Sequence, residues 1–438
     1  MDLTKHARSL LAIAIVAIAA LAAGCGGSDD SSSDAGSGKG PVAEPKEPVT
    51  ISFASWVGGT RGMKVLYKKF QKEHPNIKVE FQEIPSEEAR RKLTTQIAGG
   101  NAPDSAYLDA GTVTSFAARN ALVDLDNYVE RTKTVNPDDF VDAFRQTATY
   151  QGKLYALPLD GESTGLFYRT DLFDAAGIAE PPKTWEEFEA AAEKLTQPDK
   201  KQYGFALFAP APESAYYWYP WLWQAGGDLL SDDEQEIAFD SDAGRTAADF
   251  YVGLTKYAPK DFLNSNSYDG RIAFSEGKVG MYVAGGWLAG VLAEEFPKIE
   301  GKWDTAPLPE GTAGCKTTIA GDNLALFSGG KNHDAAWIWI EFLTQPENMK
   351  LWTIDDPLST AMPTRTSLLE SPELAEKKPV LKGFADAMKC GVPPIANPNW
   401  VKVEEVLSEH LGKSMYGDES PADALKASAE EGQELLGE

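Results

Sequence analysis

Hydrophobic and polar residues alternate at residues 49–53, which predicts a short strand. From Thr60 onwards the apolar residues recur every three or four positions instead, as they do on one face of a helix, until Pro75 interrupts the pattern. Residues 77–81 alternate again and predict a second strand. The first ordered segment is therefore expected to have the order strand, helix, strand.

The same order continues along the next thirty residues. A second helix is expected from Ser86, and Gly99-Gly100 ends it in the manner of a left-handed cap. A short strand then leads to Asp109, followed by another helix. Strands alternating with helices in this way predict a parallel α/β sheet, which presents ligand-binding groups at the carboxyl ends of its strands.

The middle and end of the chain add a second α/β pattern. Thr184 and Glu187 form a capping box at the start of a helix in a mostly helical region. Strand-like segments return at residues 303–308 and 317–327, and a helix is expected at residues 334–343. The simplest architecture is two α/β lobes between which the chain crosses more than once, because each lobe completes its core from distant segments.

The N-terminus predicts export and a lipid anchor. Lys5, His6 and Arg8 precede an apolar stretch at residues 10–23, which is too short to cross a bilayer comfortably and reads as a signal peptide. The stretch ends in a sequence that resembles the lipobox of bacterial lipoproteins, which implies cleavage before Cys25 and lipidation of that residue. The alternative is an ordinary secretory signal with an incidental cysteine.

Residues 25–48 predict a disordered tether between this anchor and the folded body. The segment is rich in Gly, Ser, Asp and Pro, and Val42 is its only sizeable aliphatic residue. Such a composition buries too little apolar surface to offset the entropy of ordering. The tether therefore ends where the first strand begins.

Charge and composition exclude several classes of function. The 438 residues carry a formal net charge of −25, which is the wrong sign for neutralising the phosphates of nucleic acid. Three cysteines and four histidines lack the paired spacing of zinc ligands, and no Gly-x-Ser-x-Gly elbow is present, so we expect neither a metal site nor nucleophilic catalysis. No cofactor is expected.

Six segments in a fixed order resemble the extracellular solute-binding proteins of ATP-driven importers, in the sugar-binding branch similar to maltose-binding protein. The resemblance covers most of residues 49–438. It rests on residues 49–83, Pro103-Asp104 with Asp109, residues 155–158 followed by 166–173, residues 182–188, residues 274–281 with Gly286-Trp287, and Ala335-Ala336-Trp337.

This resemblance implies a periplasmic-binding-protein-like fold of type II, with a sugar-binding cleft between two hinged lobes. Lobe 1 is expected at residues 49–160 and 303–356, and lobe 2 at residues 161–302 and 357–438. The crossings are expected near residues 157–162, Lys302 and residues 357–361. The implied function is a monomeric, membrane-anchored receptor that hands a sugar to an ATP-binding cassette (ABC) permease after hinge closure.

A sugar site needs aromatic surfaces for the apolar faces of the ring, and four aromatic residues are candidates. Trp287, beside Gly285-Gly286, and Trp400 resemble stacking positions of the family; their alternative is core packing. Trp56 follows the first strand and would face the cleft. Tyr216 resembles a ligand tyrosine, whereas most of the aromatic run that it begins, residues 216–223, is expected in the core.

Polar candidates come from both lobes. Glu162 matches a position where the family places a ligand carboxylate; its alternative is a solvated hinge residue. Asp109 ends a strand, where open α/β sheets present ligand groups, and its alternative is an N-cap for the following helix. Arg365 has the donors to bind sugar hydroxyls, or it pairs with a carboxylate structurally.

Gly321, Asp322 and Asn323 interrupt a strand where it should meet the cleft, and a plain bulge is the alternative.

Cys315 and Cys390 remain after lipidation, and in an oxidising compartment a disulfide between them is expected. The lobe boundaries put the two cysteines in different lobes, so such a bridge would have to lie near the hinge axis.

Three rival functions stay open from the sequence. One is an adhesion or wall-structural protein, which would not close on a small ligand. A receptor for glycerophosphodiesters or another polar solute would need a concentrated basic cluster, for which Arg365 is the only candidate. An exported carbohydrate-active enzyme would need a close pair of carboxylates, and the sequence contains 66 acidic residues from which such a pair can be drawn.

Overall fold

The computed structural model describes residues 40–132, 134–207, 214–262, 270–395 and 397–437. The predicted signal peptide at residues 1–24, the predicted anchor Cys25 and the first part of the tether lie outside the described residues. No helix within the described ranges combines the length and the apolarity that crossing a membrane requires.

The described ranges contain these strands and helices. The strands are β1 (Val49–Ser55), β2 (Ile77–Glu83), β3 (Ser105–Asp109), β4 (Thr149–Tyr150), β5 (Lys153–Leu154), β6 (Ala156–Tyr168), β7 (Tyr203–Ala206), β8 (Val279–Gly285), β9 (Asp304–Ala306), β10 (Thr317–Leu326), β11 (Met362–Pro363) and β12 (Gly391–Val392). The helices are α1 (Arg61–Glu73), α2 (Ser86–Ala98), α3 (Ala110–Ala118), α4 (Asp126–Thr132), α5 (Asp142–Thr147), α6 (Thr170–Ala176), α7 (Trp185–Leu195), α8 (Ser214–Gln224), α9 (Asp242–Gly253), α10 (Gly270–Ser275), α11 (Trp287–Glu295), α12 (His333–Thr344), α13 (Pro346–Thr353), α14 (Thr366–Leu369), α15 (Pro372–Lys377), α16 (Lys382–Ala387), α17 (Trp400–Tyr416) and α18 (Pro421–Leu436).

The first β-α-β unit follows the pattern of the sequence. The hydroxyl of Thr60 caps α1 by accepting a hydrogen bond from the amide of Met63, at 3.3 Å. Leu66 and Phe70 lie fully buried on the inner face of that helix. β1 pairs in parallel with β2 over seven residues and with β3 at Phe53-Ala54. The resulting half sheet ends, on its carboxyl side, at Asp109.

Two long strands carry the chain from one half of the molecule to the other. β6 and β10 run antiparallel to each other in the middle of the sheet, whose order is β2-β1-β3-β10-β6-β8-β7. The first half of β6 pairs with β10, whereas residues 164–168 pair with β8. β10 pairs with β3 only through residues 322–326. β6 therefore contains the first crossing, and β10 contains the second.

Each half encloses a hydrophobic core of its own. In lobe 1, the half that holds β1 to β3, Phe53 packs against Trp339 with ring centroids 5.8 Å apart. In lobe 2, the half that holds β7 and β8, the fully buried Trp218 and Trp221 of α8 pack with α7, α9 and α17. A third buried cluster contains Phe144 of α5 and Met362 of β11 together with Phe167 of β6, so the two halves also share buried contacts at the crossover strands.

The second crossing lies later in the chain than predicted. Residues 303–356 are expected in lobe 1, but β9 pairs with β6 at residues 166–168. Ala306 and Leu308 pack in the lobe 2 core, whereas Leu324 of β10 packs in the lobe 1 core. We therefore infer that the chain crosses within β10 and not near Lys302.

The segment predicted to contain the third crossing contacts both lobes. Residues 357–438 are expected in lobe 2, yet Leu368 and Leu374 pack in the lobe 1 core. Phe384 of α16 packs against Phe167 of β6, with ring centroids 5.4 Å apart, on the lobe 2 side. Thr360 lies against Gly290 of α11, and Met362 packs in the same cluster as Phe384. The segment therefore contacts lobe 2 near the predicted crossing as well as after α15.

The end of the predicted tether is part of the folded body. Arg131 donates a hydrogen bond to the carbonyl of Gly40 at 2.7 Å, and Asn76 donates one to the carbonyl of Pro45 at 2.9 Å. Val42 packs against the lobe 1 core. Residues 40–48 therefore contact the folded body, and the predicted tether does not extend as far as residue 48.

Candidate functional site

A cleft of about 800 Å³ lies at the crossover strands and is lined from both lobes. It brings together eight of the ten predicted site residues, namely Trp56, Asp109, Glu162, Tyr216, Trp287, Gly321, Asp322 and Trp400. A second cavity, of about 850 Å³, is lined by parts of residues 138–146 and 366–393 and holds none of the ten. The cleft is therefore the candidate site.

Aromatic side chains reach the cleft from four separate elements. Trp56 follows β1 and packs edge-on against Tyr107, with ring centroids 4.7 Å apart. Trp287 begins α11 and is 36% exposed, whereas Trp400 begins α17 and is only 6% exposed. Tyr216 lies in α8, in which most of the other aromatic residues are buried in the lobe 2 core. Trp287 thus offers a ligand the most ring surface, and Trp400 offers little.

Asp109 is the N-cap of α3, as its structural alternative predicted, and it also lines the cleft. One carboxylate oxygen accepts the amide of Thr112 at 2.8 Å and caps α3, and the other accepts the Thr112 hydroxyl at 2.6 Å. The guanidinium of Arg90 approaches the same carboxylate at 3.2 Å. Asp109 therefore lines the cleft as an N-cap whose charge is already balanced.

Three aspartates form a row across neighbouring strands at the floor of the cleft. Asp322 of β10 stands opposite Asp109 of β3 on one side and opposite Asp160 of β6 on the other. Glu162 follows Asp160 by two residues on the same strand, so it continues the row on the same face of the sheet. Like charges directly opposite each other repel, and this row is therefore an electrostatically unfavourable arrangement.

Burial and repulsion change the proton affinity of this row. Burial raises the pKa of Glu162 to about 7, and the nearby charge of Asp322 adds to the effect. Burial also raises the pKa of Asp160 to about 7, although the hydroxyl of Tyr107 opposes this by donating a 2.7 Å hydrogen bond to the carboxylate. For Asp322, burial and the charge of Asp160 raise the pKa well above its ordinary value.

Glycines let the crossover strands pack closely at this point. A Cβ on Gly321 would stand 2.6 Å from the carbonyl oxygen of Asp160, and a Cβ on Gly161 would stand 2.2 Å from the ring of Phe144. The pairing of β10 with β6 also shifts register between Asp322 and Asn323. The predicted interruption of the strand is thus a bulge, and Gly321 permits strand contact there.

Two predicted site residues lie away from the cleft lining, and their placement in the site is corrected. Asn323 is buried behind the floor, where its side-chain oxygen accepts a hydrogen bond from Thr147 at 3.3 Å. Arg365 is 1% exposed and donates to Asp139 at 3.1 Å and to the carbonyl of Thr344 at 2.8 Å. The structural alternative for Arg365 is the one that fits, because a fully buried guanidinium has no access to a cleft ligand.

A disulfide joins Cys315 and Cys390, with the two Cα atoms 5.8 Å apart. Both cysteines lie on the lobe 2 side, since residues 317–318 pair with β12 directly after Cys390. The bridge therefore does not tie lobe 1 to lobe 2, and the conflict with hinge motion disappears. Beyond β12 the chain continues into residues 394–401, part of which lines the cleft.

Sequence reasoning missed several residues that line the cleft. They include Arg90, Arg119, Asp160 and Glu404. Asp160 could have been predicted from the sequence, because it lies two residues before Glu162 and residues two apart on a strand face the same side of the sheet. Arg90 and Glu404 lie on helices, where single charged residues are typical of a solvated face.

Among the described residues, no group of three or more His, Cys, Asp or Glu side chains is arranged to hold a metal ion. The carboxylate row therefore does not have the geometry of a protein metal centre. What the cleft provides is a set of hydrogen-bond acceptors on the floor and aromatic surfaces on the walls. This combination suits an organic ligand that has both hydroxyl or amino donors and apolar faces.

Comparison with known proteins agrees with this geometry. The diacetylchitobiose binding protein of Streptomyces coelicolor is 25% identical over 435 residues, and the match covers 95% of this chain and 96% of that protein. An ABC substrate-binding protein of Listeria monocytogenes in complex with cycloalternan has a TM-score of 0.79 at 25% identity, covering 89% of this chain and 100% of that one.

A solute-binding protein of Thermotoga lettingae bound with α-D-tagatose has a TM-score of 0.78 at 26% identity, again covering 89% of this chain and 100% of that one. The model of the bacterial extracellular solute-binding proteins matches residues 54–350. The two-lobed fold of type II and the resemblance carried by the sequence motifs are thereby confirmed. The chain belongs to the bacterial extracellular solute-binding protein family.

Proposed function

We propose that this protein is the substrate-binding component of an ABC importer and that it binds a carbohydrate in the cleft between its lobes. The observation that carries the proposal is the convergence of Trp56, Tyr216 and Trp287 with a row of carboxylates in one cleft. Relatives and structural neighbours bind diacetylchitobiose, cycloalternan and tagatose. Aromatic walls and an acceptor-rich floor are what the two faces of a sugar ring require.

The crossover strands supply the means of closure. β6 and β10 are the long strands that join the lobes, and the cleft opens directly over them. A ligand that contacts Trp56 of lobe 1 and Trp287 of lobe 2 at once gains its full set of contacts only when the lobes approach. The ligand therefore shifts the population towards the closed form, which the permease recognises.

Location and partners follow from the same role. Family membership places the protein outside the cytoplasm. We propose that a lipid on Cys25 holds it, as a monomer, at the cell membrane beside the permease, and that residues 26–39 act as the tether. A single lipid chain binds membranes only marginally, so the diacylglyceryl group of a lipoprotein fits stable retention better.

We further propose that the protein releases its ligand chemically unchanged. The carboxylates Asp160 and Glu162 belong to one strand and face the same cleft, so an exported glycosidase is the rival of a different class. The relatives and neighbours named above are binding proteins. Analysis of bound sugar after prolonged incubation separates the two functions, because only a glycosidase shortens the sugar.

Thermal-shift screening of the purified protein against mono-, di- and oligosaccharides tests the function. A ligand at 100 times its dissociation constant stabilises the folded state by about 2.7 kcal/mol, which raises the melting temperature measurably. Glycerophosphocholine and short peptides serve as the comparison ligands. A shift with sugars alone supports the proposal, whereas a shift with glycerophosphocholine or peptides and none with sugars contradicts it.

A further inference from the structure

Glu162 is a carboxylate in the cleft that no described residue neutralises. Within the described ranges, the structure gives its side chain neither a hydrogen bond nor an ion pair, and the charge that acts on it is that of Asp322, which has the same sign. Glu162 is partly buried, and a partly buried carboxylate without a partner is costly, so proteins place such groups where a ligand completes them.

The ring of Trp287 stands next to this carboxylate. Gly285 of β8 has no side chain, and a Cβ added there would be 2.7 Å from the Glu162 oxygen Oε2 and 2.7 Å from Cδ1 of Trp287. The carboxylate and the indole therefore share the space that Gly285 leaves free. An anion beside an exposed aromatic ring is the environment that an ammonium group prefers, since the charge pair and the cation–π attraction act together.

The other charged groups that line the cleft also favour a positively charged ligand group. Five carboxylates line it, and two guanidinium groups do so, those of Arg90 and Arg119. Arg90 is occupied by Asp109 at 3.2 Å, at the lobe 1 end of the row. Within the described ranges, Asp160, Asp322 and Glu162 form no ion pair with either arginine. The other end of the row therefore has no protein cation beside it when its carboxyls are ionised.

A neutral sugar would leave this imbalance in place. Hydroxyl groups donate hydrogen bonds to carboxylates but bring no charge, so closing the cleft over them favours the protonated form of carboxyls whose pKa is already raised. A ligand with a protonated amine brings three donors and the missing positive charge. An ammonium group stabilises the ionised carboxylates directly, whereas without it the row relieves its repulsion by taking up protons.

We propose that the ligand of this cleft is an amino sugar, whose ammonium group binds beside the Glu162 carboxylate and against the ring of Trp287. The inference rests on the proposed function, because it names the class of carbohydrate for the same cleft. Glu162 acts as the specificity-determining residue for the amine. Trp287 provides the neighbouring aromatic surface, and the remaining carboxylates accept the hydroxyl groups of the sugar.

The proposal is tested with sets of sugars that differ only in carrying a hydroxyl group, a free amino group or an acetylated amino group at the same positions. The probes are glucose, glucosamine and N-acetylglucosamine, the same three forms of galactose, and cellobiose, chitobiose and N,N′-diacetylchitobiose, each titrated calorimetrically at pH 7. We expect at least one free amine to bind about 10-fold or more tightly than both its hydroxyl and its acetylated counterpart. Equal or weaker binding of every amine, with neutral sugars bound, overturns this inference and leaves the proposed function standing.

Substitutions of Glu162 and Trp287 test whether these two residues cause the preference for the amine. Glu162→Gln should remove the preference for the amine while neutral sugars still bind, and Trp287→Leu should reduce it in a protein that keeps Glu162. Glu405→Gln, on an exposed residue of α17 outside the cleft lining, is the matched control and should keep the preference. A preference that survives Glu162→Gln rejects the assignment, and a protein that binds no sugar of either kind rejects the proposed function together with it.

Discussion

Two charged side chains border the same crossover strand, and their surroundings differ. Arg365 is fully buried next to β11, which pairs with β6, and it has a carboxylate partner, a carbonyl partner and the ring of Phe140 at 4.4 Å. Glu162 lies on β6 itself, partly buried in the cleft, with a carboxylate as its charged neighbour. Arg365 is thus paired with a carboxylate within the fold, whereas Glu162 has no charged partner of opposite sign among the described residues.

The difference separates structural charges from binding charges. A buried charge that finds its partners within the fold contributes by holding segments together, as Arg365 joins residues 136–139 to α12 and β11. A buried charge that lacks a partner lowers the stability of the empty protein and is retained for what it does with a ligand. Burial alone does not distinguish the two, but the list of partners does.

The largest effect is expected from removing the partner of Arg365. Asp139→Ala leaves the buried guanidinium without its carboxylate, and loss of one member of such a pair is strongly destabilising. We expect the free energy of unfolding to fall by about 3 kcal/mol. Urea denaturation followed by circular dichroism measures it, and the sugar affinity of the folded fraction should stay unchanged.

Asp138→Ala provides the control for this prediction. Asp138 is the exposed neighbour of Asp139, so its removal should change stability by less than about 0.5 kcal/mol. If the free energy of unfolding falls by less than about 1 kcal/mol in Asp139→Ala, then Arg365 does not depend on its carboxylate partner. Arg365 would then not be an example of a structural charge.

The second prediction is an increase in the free energy of unfolding. Glu162→Gln removes a charge that the empty protein does not balance, so it should stabilise the protein at pH 8 by about 2 kcal/mol while abolishing the preference for an amine. The substitution keeps the shape of the side chain. A destabilised Glu162→Gln protein would mean that Glu162 has a structural partner, which the comparison with Arg365 denies.

The pH dependence follows from the direction of the shift. The pKa of Glu162 in the folded protein is about 7, above its ordinary value of 4.5, so the folded state holds more protons than the unfolded state between these values. Stability from this group is therefore present below pH 4.5 and is lost as the pH rises to about 7. Urea denaturation at pH 5 and pH 8 should show a smaller difference in Glu162→Gln than in the unsubstituted protein.

Local patterns in the sequence were sufficient for the first strands and helices of the fold but not for the second crossing. The alternation at residues 49–53 and the caps at Thr60 and Gly99 depend on neighbouring residues, which the sequence displays directly. The crossing within β10 depends on which strand β9 joins, and that partner, residues 166–168, lies far away along the chain. Strand pairing is non-local, so hydrophobic periodicity does not reveal it.

The candidate site shows the same division. Trp287 and Glu162 were found because a recognisable motif surrounds each of them. The role of Arg365 was left open, because its carboxylate partner is 226 residues away in the sequence. No pattern in the residues around Arg365 indicates this pair. The importance of Gly285 was also visible only in the structure, where it makes room for the Glu162 carboxylate and the Trp287 ring.

The smallest effect on stability, with a clear effect on binding, is expected at Trp287. Its side chain is 36% exposed at the start of α11, so Trp287→Ala should change the free energy of unfolding by about 0.5 kcal/mol or less. The affinity for sugar should fall about 10-fold or more, because the ring gives the ligand its most open aromatic surface. Calorimetric titration measures the affinity, and urea denaturation measures the stability.

Val65→Ala provides the contrast, because Val65 is another exposed apolar residue, lies on α1 and does not line the cleft. It should leave both affinity and stability nearly unchanged. If Trp287→Ala instead destabilises the protein as strongly as Asp139→Ala, then Trp287 belongs with the structural residues and the cleft loses its most exposed aromatic surface. If it changes affinity alone, then lobe 2 contributes to binding through a side chain that the fold itself does not need.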